Sequence, residues 1–356
     1  ESSNRMATTA MTTKLCVASL LLCSVASFMA PRSGDVSTRS IKSEHRMGFL
    51  DDLMVKQQRS PKVSAPEGFQ VPEPQPLALS ESADLGQVLG SSAALVSRLA
   101  TGAFVLGWKI DDVFAPEDGE YALALGPIRL RDSSSVLQDA PRPVKPLILY
   151  EYVASPFCKR VRETINLLDL TVEFRPCPGA RAGFSEELFE RSGRRTVPYL
   201  VDPNTGIEMA ESGDQIEYLL STYGPPEDSF DRKALWPITF EGFSVNTAIA
   251  AALLQNMPGA TRQENARPDN GQMKPLELWG YECSPFVAPV REKLCSLCLP
   301  HVFVSCSRGS ANRNKMMQKT GRFQVPFLVD PNTGIEMFEG AEMVKYLDQV
   351  YTTTTA

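Results

Sequence analysis

The chain has 356 residues, enough for two or three domains, and its 43% hydrophobic and 22% charged residues are the balance of an ordinary globular protein. A formal charge of −6 with no long basic run argues against a nucleic-acid or anionic-membrane surface. Two histidines leave almost no room for a Ser-His-Asp relay or a histidine-rich metal centre, and eight cysteines are too few for a disulfide scaffold in a chain this long.

In chain order, Lys14 is followed by an apolar run over 15–26 with small residues at Ser24, Ala26 and Ser27, which fits a signal-peptide core and is too short to span a bilayer. The stretch 28–61 is rich in Ser and Arg, as transit peptides are. The junction Val25-Ala26-Ser27-Phe28-Met29-Ala30-Pro31 resembles the signal/transit boundary of plastid proteins in algae with secondary plastids, where a Phe follows the cleavage point. The resemblance implies a targeting segment over 1–61 and a plastid location, with the secretory pathway as the alternative. Its removal takes Cys16 and Cys23 and leaves Cys158, Cys177, Cys283, Cys295, Cys298 and Cys306, compatible with free thiols in a reducing compartment. No transmembrane segment is expected in the mature chain.

Residues 62–145 are expected to form a linker and a small cap. Pro61, Pro66, Pro72, Pro74 and Pro76 give the linker extended character. Leu85, Val88, Leu89, Val96 and Leu99 recur at helical spacing and predict a helix over 85–99, while Asp84 and Arg98 argue against a membrane span. Runs at 104–110 and 121–130 read as strands.

The rest of the chain says one thing twice. The segment Val201-Asp202-Pro203-Asn204-Thr205-Gly206-Ile207-Glu208-Met209 returns letter for letter from Val329 to Met337. Ser155-Pro156-Phe157 recurs as Ser284-Pro285-Phe286, Val161-Arg162-Glu163 as Val290-Arg291-Glu292, and Val197-Pro198 as Val325-Pro326. Two such copies mean a duplicated domain rather than a solenoid. Repeat one, 146–224, reads as a strand over 147–153, a helix over 156–168, a strand over 171–174 and a helix near 185–191. Strands over 199–202 and 207–209 follow, joined by the turn Pro203-Asn204-Thr205-Gly206, and then a helix over 213–222. Repeat two, 275–351, gives the same β-α-β-α-β-β-α order. The connector 225–274 holds a small apolar patch at 248–254 and then a polar stretch.

That order, with Ser155-Pro156-Phe157-Cys158 after the first strand, Val197-Pro198 before the third and Glu211-Ser212 before the last helix, resembles the thioredoxin fold. It is closer still to the glutaredoxin-like amino-terminal domain of glutathione transferases, and the duplication is similar to a plastid family carrying two such domains. The second-copy matches are Ser284-Pro285-Phe286-Val287, Val325-Pro326 and Glu339-Gly340. The fold implied is α/β, two thioredoxin-like domains in tandem. No helical transferase carboxyl-terminal domain is expected after either.

The resemblance also implies roles. Glutaredoxins place a nucleophilic cysteine at a helix amino terminus, where the dipole lowers the thiol pKa. Ser155 stands there, so the dithiol mechanism is absent, and a serine hydroxyl hydrogen-bonding a glutathione thiolate is the implied role. The purely structural alternative is an N-cap followed by Pro at the first helical position. Cys158 is the second cysteine position, able to form a mixed disulfide or simply to fill a buried space; Val287 replaces it in repeat two. Pro198 and Pro326 are implied to be cis, with Val197 and Val325 offering their backbones to the cysteinyl part of glutathione. Glu211 and Ser212 are implied to hold its γ-glutamyl end, although Ser212 and Gln215 also read as a capping box. Catalysis is thus assigned to Ser155 and Cys158 and glutathione binding to Val197, Pro198, Glu211 and Ser212.

Cys283 is a displaced candidate nucleophile. Cys295 and Cys298, with His301 nearby, have metal-like spacing but no evident fourth ligand, and no metal is assigned. Cys177 and Cys306 read as structural. The expectation is a plastid glutathione-binding protein, capable at most of weak glutathione-dependent thiol transfer through repeat one. Its candidate partners are glutathione or a thiol substrate, and a protein. The alternative is a non-catalytic interaction or scaffold protein that keeps the fold without the redox dithiol.

Overall fold

The computed structural model describes residues 63–75, 85–115, 123–125, 128–268 and 273–353. The expected targeting segment, 1–61, lies outside them.

The extension begins with helix α1 (Leu85–Ser97). It stops short of the expected end because Leu99 and Ala100 take left-handed backbone, φ 53° and 56°. A three-stranded antiparallel sheet follows, in the order β1 (Trp108–Asp112), β3 (Ile128–Ser134), β2 (Leu123–Leu125). The strand expected from residue 104 starts only at Trp108. The preceding residues bond elsewhere: the Val105 N–H donates to Arg308 O at 2.9 Å and the Leu106 N–H to Leu167 O at 2.8 Å. The stretch is thereby tied to both repeats.

Repeat one contains β4 (Leu147–Glu151), α2 (Pro156–Leu167), β5 (Thr171–Pro176), α3 (Ser185–Ser192), β6 (Tyr199–Asp202), β7 (Ile207–Met209) and α4 (Ser212–Tyr223), the expected order with ends shifted by a residue or two. β4 is buried on both faces, as its apolar run requires, and pairs in parallel with β5. Helix α2 turns Val161, Ile165 and Leu168 into the core. Asp169, φ 54°, ends it with a left-handed residue, and the Leu170 N–H returns to Ile165 O at 3.0 Å.

The connector forms a short helix α5 (Trp236–Thr239) and a four-turn helix α6 (Glu241–Leu254), which contains the apolar patch at 248–254 and packs on both α1 and α2. Its apolar residues are spread around the helix instead of along one stripe, so no 3.6-residue period marks it.

Repeat two contains β8 (Leu276–Gly280), α7 (Ala288–Ser296), β9 (His301–Ser305), α8 (Asn312–Thr320), β10 (Phe327–Asp330), β11 (Ile335–Phe338) and α9 (Gly340–Tyr351). Helix α7 starts about one turn later than α2. Pro289 has no N–H to close the i→i−4 bond that would wind the preceding turn.

The two repeats join edge to edge. β5 pairs antiparallel with β9, giving one eight-stranded sheet in the order β11-β10-β8-β9-β5-β4-β6-β7. Val172 faces Phe303, Phe174 faces His301, and Glu173 faces Val302 at the centre. Val172 and His301, Phe174 and Phe303, and Glu173 and Val302 are the matched positions of the duplication, so a pseudo-two-fold passes through the Glu173–Val302 pair. Each repeat covers the strand edge that its partner would otherwise leave open. One apolar core runs through both, from Leu149 and Ile165 to Leu278, Leu294 and Phe303. Among the described residues no single helix is long and apolar enough to cross a membrane.

Candidate functional site

In repeat one the implied residues converge at one end of the sheet. The loop 152–155 leaves β4 and enters α2, and the Ser155 Oγ accepts the Cys158 N–H at 3.3 Å as the helix N-cap. β6 pairs beside β4, with Tyr199 opposite Tyr150, which sets Pro198 next to that loop. The Val197–Pro198 peptide is cis, as is Val325–Pro326. Gln215 fixes the turn by donating to Pro198 O at 2.9 Å and Met209 O at 3.0 Å. Among the described residues no hydrogen bond engages the Val197 backbone, nor that of Val325, so each copy leaves a free donor–acceptor edge beside its cis-proline.

Glu211 takes φ 63° and Glu339 φ 73°, an unusual backbone for residues with a side chain, at matched positions. This geometry makes Glu211 the N-cap of α4, without a side-chain cap bond. The expected capping box between Ser212 and Gln215 is therefore not formed: Ser212 is the first helical residue and Gln215 points inward to the proline turn. The amino terminus of α4 is left without a side-chain acceptor, a setting that favours an anion. Arg160 on α2 reaches Ser212 Oγ at 3.4 Å while its other donors clamp Ile238 O at 3.0 Å and Thr239 O at 3.1 Å. The connector is thus tied to the rim of the site.

Cys158 is fully buried, and its thiol is pushed up to about 12 by burial first and by the neighbouring Glu151 second, against the opposing pull of Arg162. It stays protonated near neutral pH. No described cysteine has a lowered thiol pKa. Cys283 is pushed up by burial even with Lys159 beside it. Cys177 and Cys306 are buried twins: their N–H groups donate to Glu151 O and Gly280 O, each at 2.7 Å, just after β5 and β9. Cys298, φ 57°, is the left-handed residue that ends α7, matched to Asp169. Cys295 donates its S–H to Gly259 O at 3.4 Å. His301 is buried with Nδ1 3.0 Å from Leu299 O, and burial pushes its pKa down to about 4. Among the described residues no group of three or more such side chains gathers around a metal-sized space.

Repeat two is built differently at the same place. Ser284 caps nothing, because α7 begins later, and its Oγ is buried without a partner among the described residues. Val287 stands where Cys158 does; a Cβ on Gly280 would lie 2.8 Å from its methyl groups, and Gly280 matches Glu151. The smaller cysteine goes with the larger strand residue, and the larger valine with glycine. A Cβ on Gly340 would lie 2.6 Å from Phe286 O and 3.3 Å from the Pro326 ring, so no serine fits unless that loop shifts. The Glu339 carboxylate is occupied, accepting the Gln75 N–H at 2.6 Å and the Gln324 amide at 2.7 Å. Phe69 packs on Tyr346 at 5.1 Å, so the proline-rich linker lies over this copy.

Between the sites lies a cluster of buried charge that the sequence reading did not anticipate. Arg162 donates to Glu151 at 2.5 Å and to Glu282 at 3.1 Å, Arg291 pairs with Glu282, and Lys159 reaches Glu282 at 3.2 Å. Arg98 from α1 pairs with Glu163. The available signal was the repeated Val-Arg-Glu, two charges kept directly after an apolar core residue in both copies.

Both repeats match a family described as "Glutathione S-transferase, N-terminal domain", over residues 149–227 and 278–355. The chain thus carries two segments in tandem, each similar to that domain. The matched segments coincide with the two halves of the continuous sheet, so these domains are thioredoxin-like and joined through their β5 and β9 edges. A solved Bombyx mori glutathione transferase, described as a complex with GTT, aligns at 23% identity and a TM-score of 0.23, over 27% of this chain. The chain spans 45% of that structure's length. No curated protein gives a significant match.

Proposed function

We propose that the protein is a plastid glutathione-binding protein of thioredoxin fold, in which repeat one holds the tripeptide and Cys158 does not turn it over. One observation carries this reading: repeat one combines a free Val197 backbone edge and an uncapped α4 amino terminus with a cysteine that is buried and neutral. Val197 would pair with the cysteinyl backbone of glutathione. The amino terminus of α4, with Ser212, would receive the γ-glutamyl carboxylate. Ser155 has an O–H to offer the thiol, while its lone pairs already serve the Cys158 N–H. Thiol transfer through Cys158 would first require the start of α2 to open. Repeat two is the weaker site, because Gly340 lacks the hydroxyl and Glu339 is already bonded to Gln75 and Gln324. The plastid location rests on the Phe28 junction.

A second reading, an interaction protein that keeps the fold without glutathione, is favoured by the 3% exposure of Ser155. Calorimetric titration of the full chain separates the two. Binding in the millimolar range or tighter, unchanged in Cys158→Ser, supports the first. No heat at millimolar glutathione supports the second. Deglutathionylation activity that disappears in Cys158→Ser would overturn the claim that this cysteine is idle.

A further inference from the structure

Residues 63–75 lie over repeat two. Val63 and Phe69 pack against the common core. The Phe69 N–H turns back to Pro66 O at 3.0 Å, and its ring meets that of Tyr346, midway along α9, with centroids 5.1 Å apart. From there the segment runs to the amino end of α9, where the Gln75 N–H donates to the Glu339 carboxylate at 2.6 Å. Pro66, Pro72 and Pro74 have no N–H, and between described residues the backbone N–H groups of 63–75 make no other hydrogen bonds. The segment is thus a strap fastened at Phe69 and Gln75, outside either sheet. What it covers is the counterpart of the open site in repeat one. Glu339 matches Glu211 and shares its left-handed backbone, yet Glu339 is 8% exposed while Glu211 stands open. The other features are present in both copies: a cis proline, a preceding valine with an unengaged backbone, and a last helix without a side-chain cap.

We propose that the strap 63–75 is an autoinhibitory contact: docked, it closes repeat two to glutathione, and lifted, it opens a second site for the same tripeptide. The proposal rests on the reading of repeat one as a glutathione site. A carboxylate is an acceptor only, and the Gln75 N–H gives Glu339 the kind of donor that the γ-glutamyl ammonium would bring. Strap and ligand exclude each other because both need that carboxylate. With the strap lifted, Glu339 takes the ammonium and the Val325 backbone pairs with the cysteinyl part. The strap is suited to lifting because it has two fastenings and no strand ladder, so its release breaks nothing in the sheet.

Calorimetric titration with reduced glutathione tests this, on the full chain and on the full-chain variant Phe69→Ala with Gln75→Pro. Proline at 75 suits the extended run and removes the N–H that reaches Glu339. The wild type should bind one equivalent and the variant two. The second should be tighter than any second binding in the wild type by about 10-fold or more, the inverse of an open fraction of roughly 10% or less. Adding Glu339→Gln to the variant should remove the second equivalent. Hydrogen exchange read by mass spectrometry should be faster over 63–75 in the variant, and circular dichroism shows that the fold is kept. Should the double variant lose its fold, Gln75→Pro alone, which keeps the Phe69 packing, gives the same comparison. A variant whose strap is free and which still binds one equivalent overturns the proposal and leaves the reading of repeat one standing. Two equivalents in the wild type, or exchange over 63–75 unchanged by the substitutions, overturns it as well. No binding by either chain overturns both readings.

Discussion

Glu282→Gln probes the joint between the repeats. The carboxylate of Glu282 meets Arg162 at 3.1 Å, Lys159 at 3.2 Å, and Arg291, and it is 5% exposed. Glutamine keeps the volume and removes the charge, leaving the buried guanidiniums of Arg162 and Arg291 with Glu151 as their remaining anion. Breaking a buried ion-pair network from one side costs about 3–5 kcal/mol, a large part of the ~5–15 kcal/mol that holds a typical domain. Burial alone would raise the Glu282 carboxyl, but Arg162, Arg291 and Lys159 override it and hold it well below the usual range. A depressed folded-state pKa gives stability that is present above the unfolded value, about 4.3, and is lost as pH falls towards the folded one. At pH 3 the gap between wild type and variant should therefore be narrower by roughly 1.8 kcal/mol, from 1.36 kcal/mol per unit over about 1.3 units. Urea unfolding followed by circular dichroism at pH 7 and pH 3 measures both quantities. A loss under about 1 kcal/mol at pH 7 would refute the assignment of a stabilising role to this network, as would an equal loss at the two pH values.

Gly340→Ser should destabilise by about 1–3 kcal/mol, because its Cβ would overpack the Phe286 carbonyl, whereas Ser212→Gly in repeat one should cost no more than about 1 kcal/mol; thermal unfolding of the two variants checks the asymmetry, and equal losses would contradict it. Cys158 should resist iodoacetamide in the folded chain at pH 7.5 and react after denaturation, as read by peptide mass spectrometry. Labelling of the folded chain at the rate of a surface thiol would show that the amino terminus of α2 opens.

Much of the fold was legible because local signals agreed with it. The alternating and continuous apolar runs of β4, β6 and β8 set the strands, Ser155-Pro156 marked the start of α2, and the turn Pro203-Asn204-Thr205-Gly206 joined β6 to β7. The family resemblance of the two Val-Pro pairs implied the two cis prolines. Other elements gave no such signal. Helix α6 lacks an apolar stripe because it touches α1 on one side and α2 on another. The late start of α7 hangs on Pro289, one residue set against an otherwise matching helix. The capping box between Ser212 and Gln215 had the right letters, but the positive φ of Glu211 moved the helix start by one residue.

The sequence by itself determined a duplicated β-α-β-α-β-β-α unit, since period, turn chemistry and repeated motifs are local properties of a chain, and the resemblance they carry implied the residues at the sheet ends. Only the tertiary structure decided what those residues face. The pairing of β5 with β9 set Arg162, Glu282 and Arg291 into one dry cluster, and packing left Cys158 without solvent and kept its proton. It also laid the linker over Glu339 and left Glu211 open. Burial and the sign of nearby charge depend on which distant segments meet, and those meetings are set by the whole core at once.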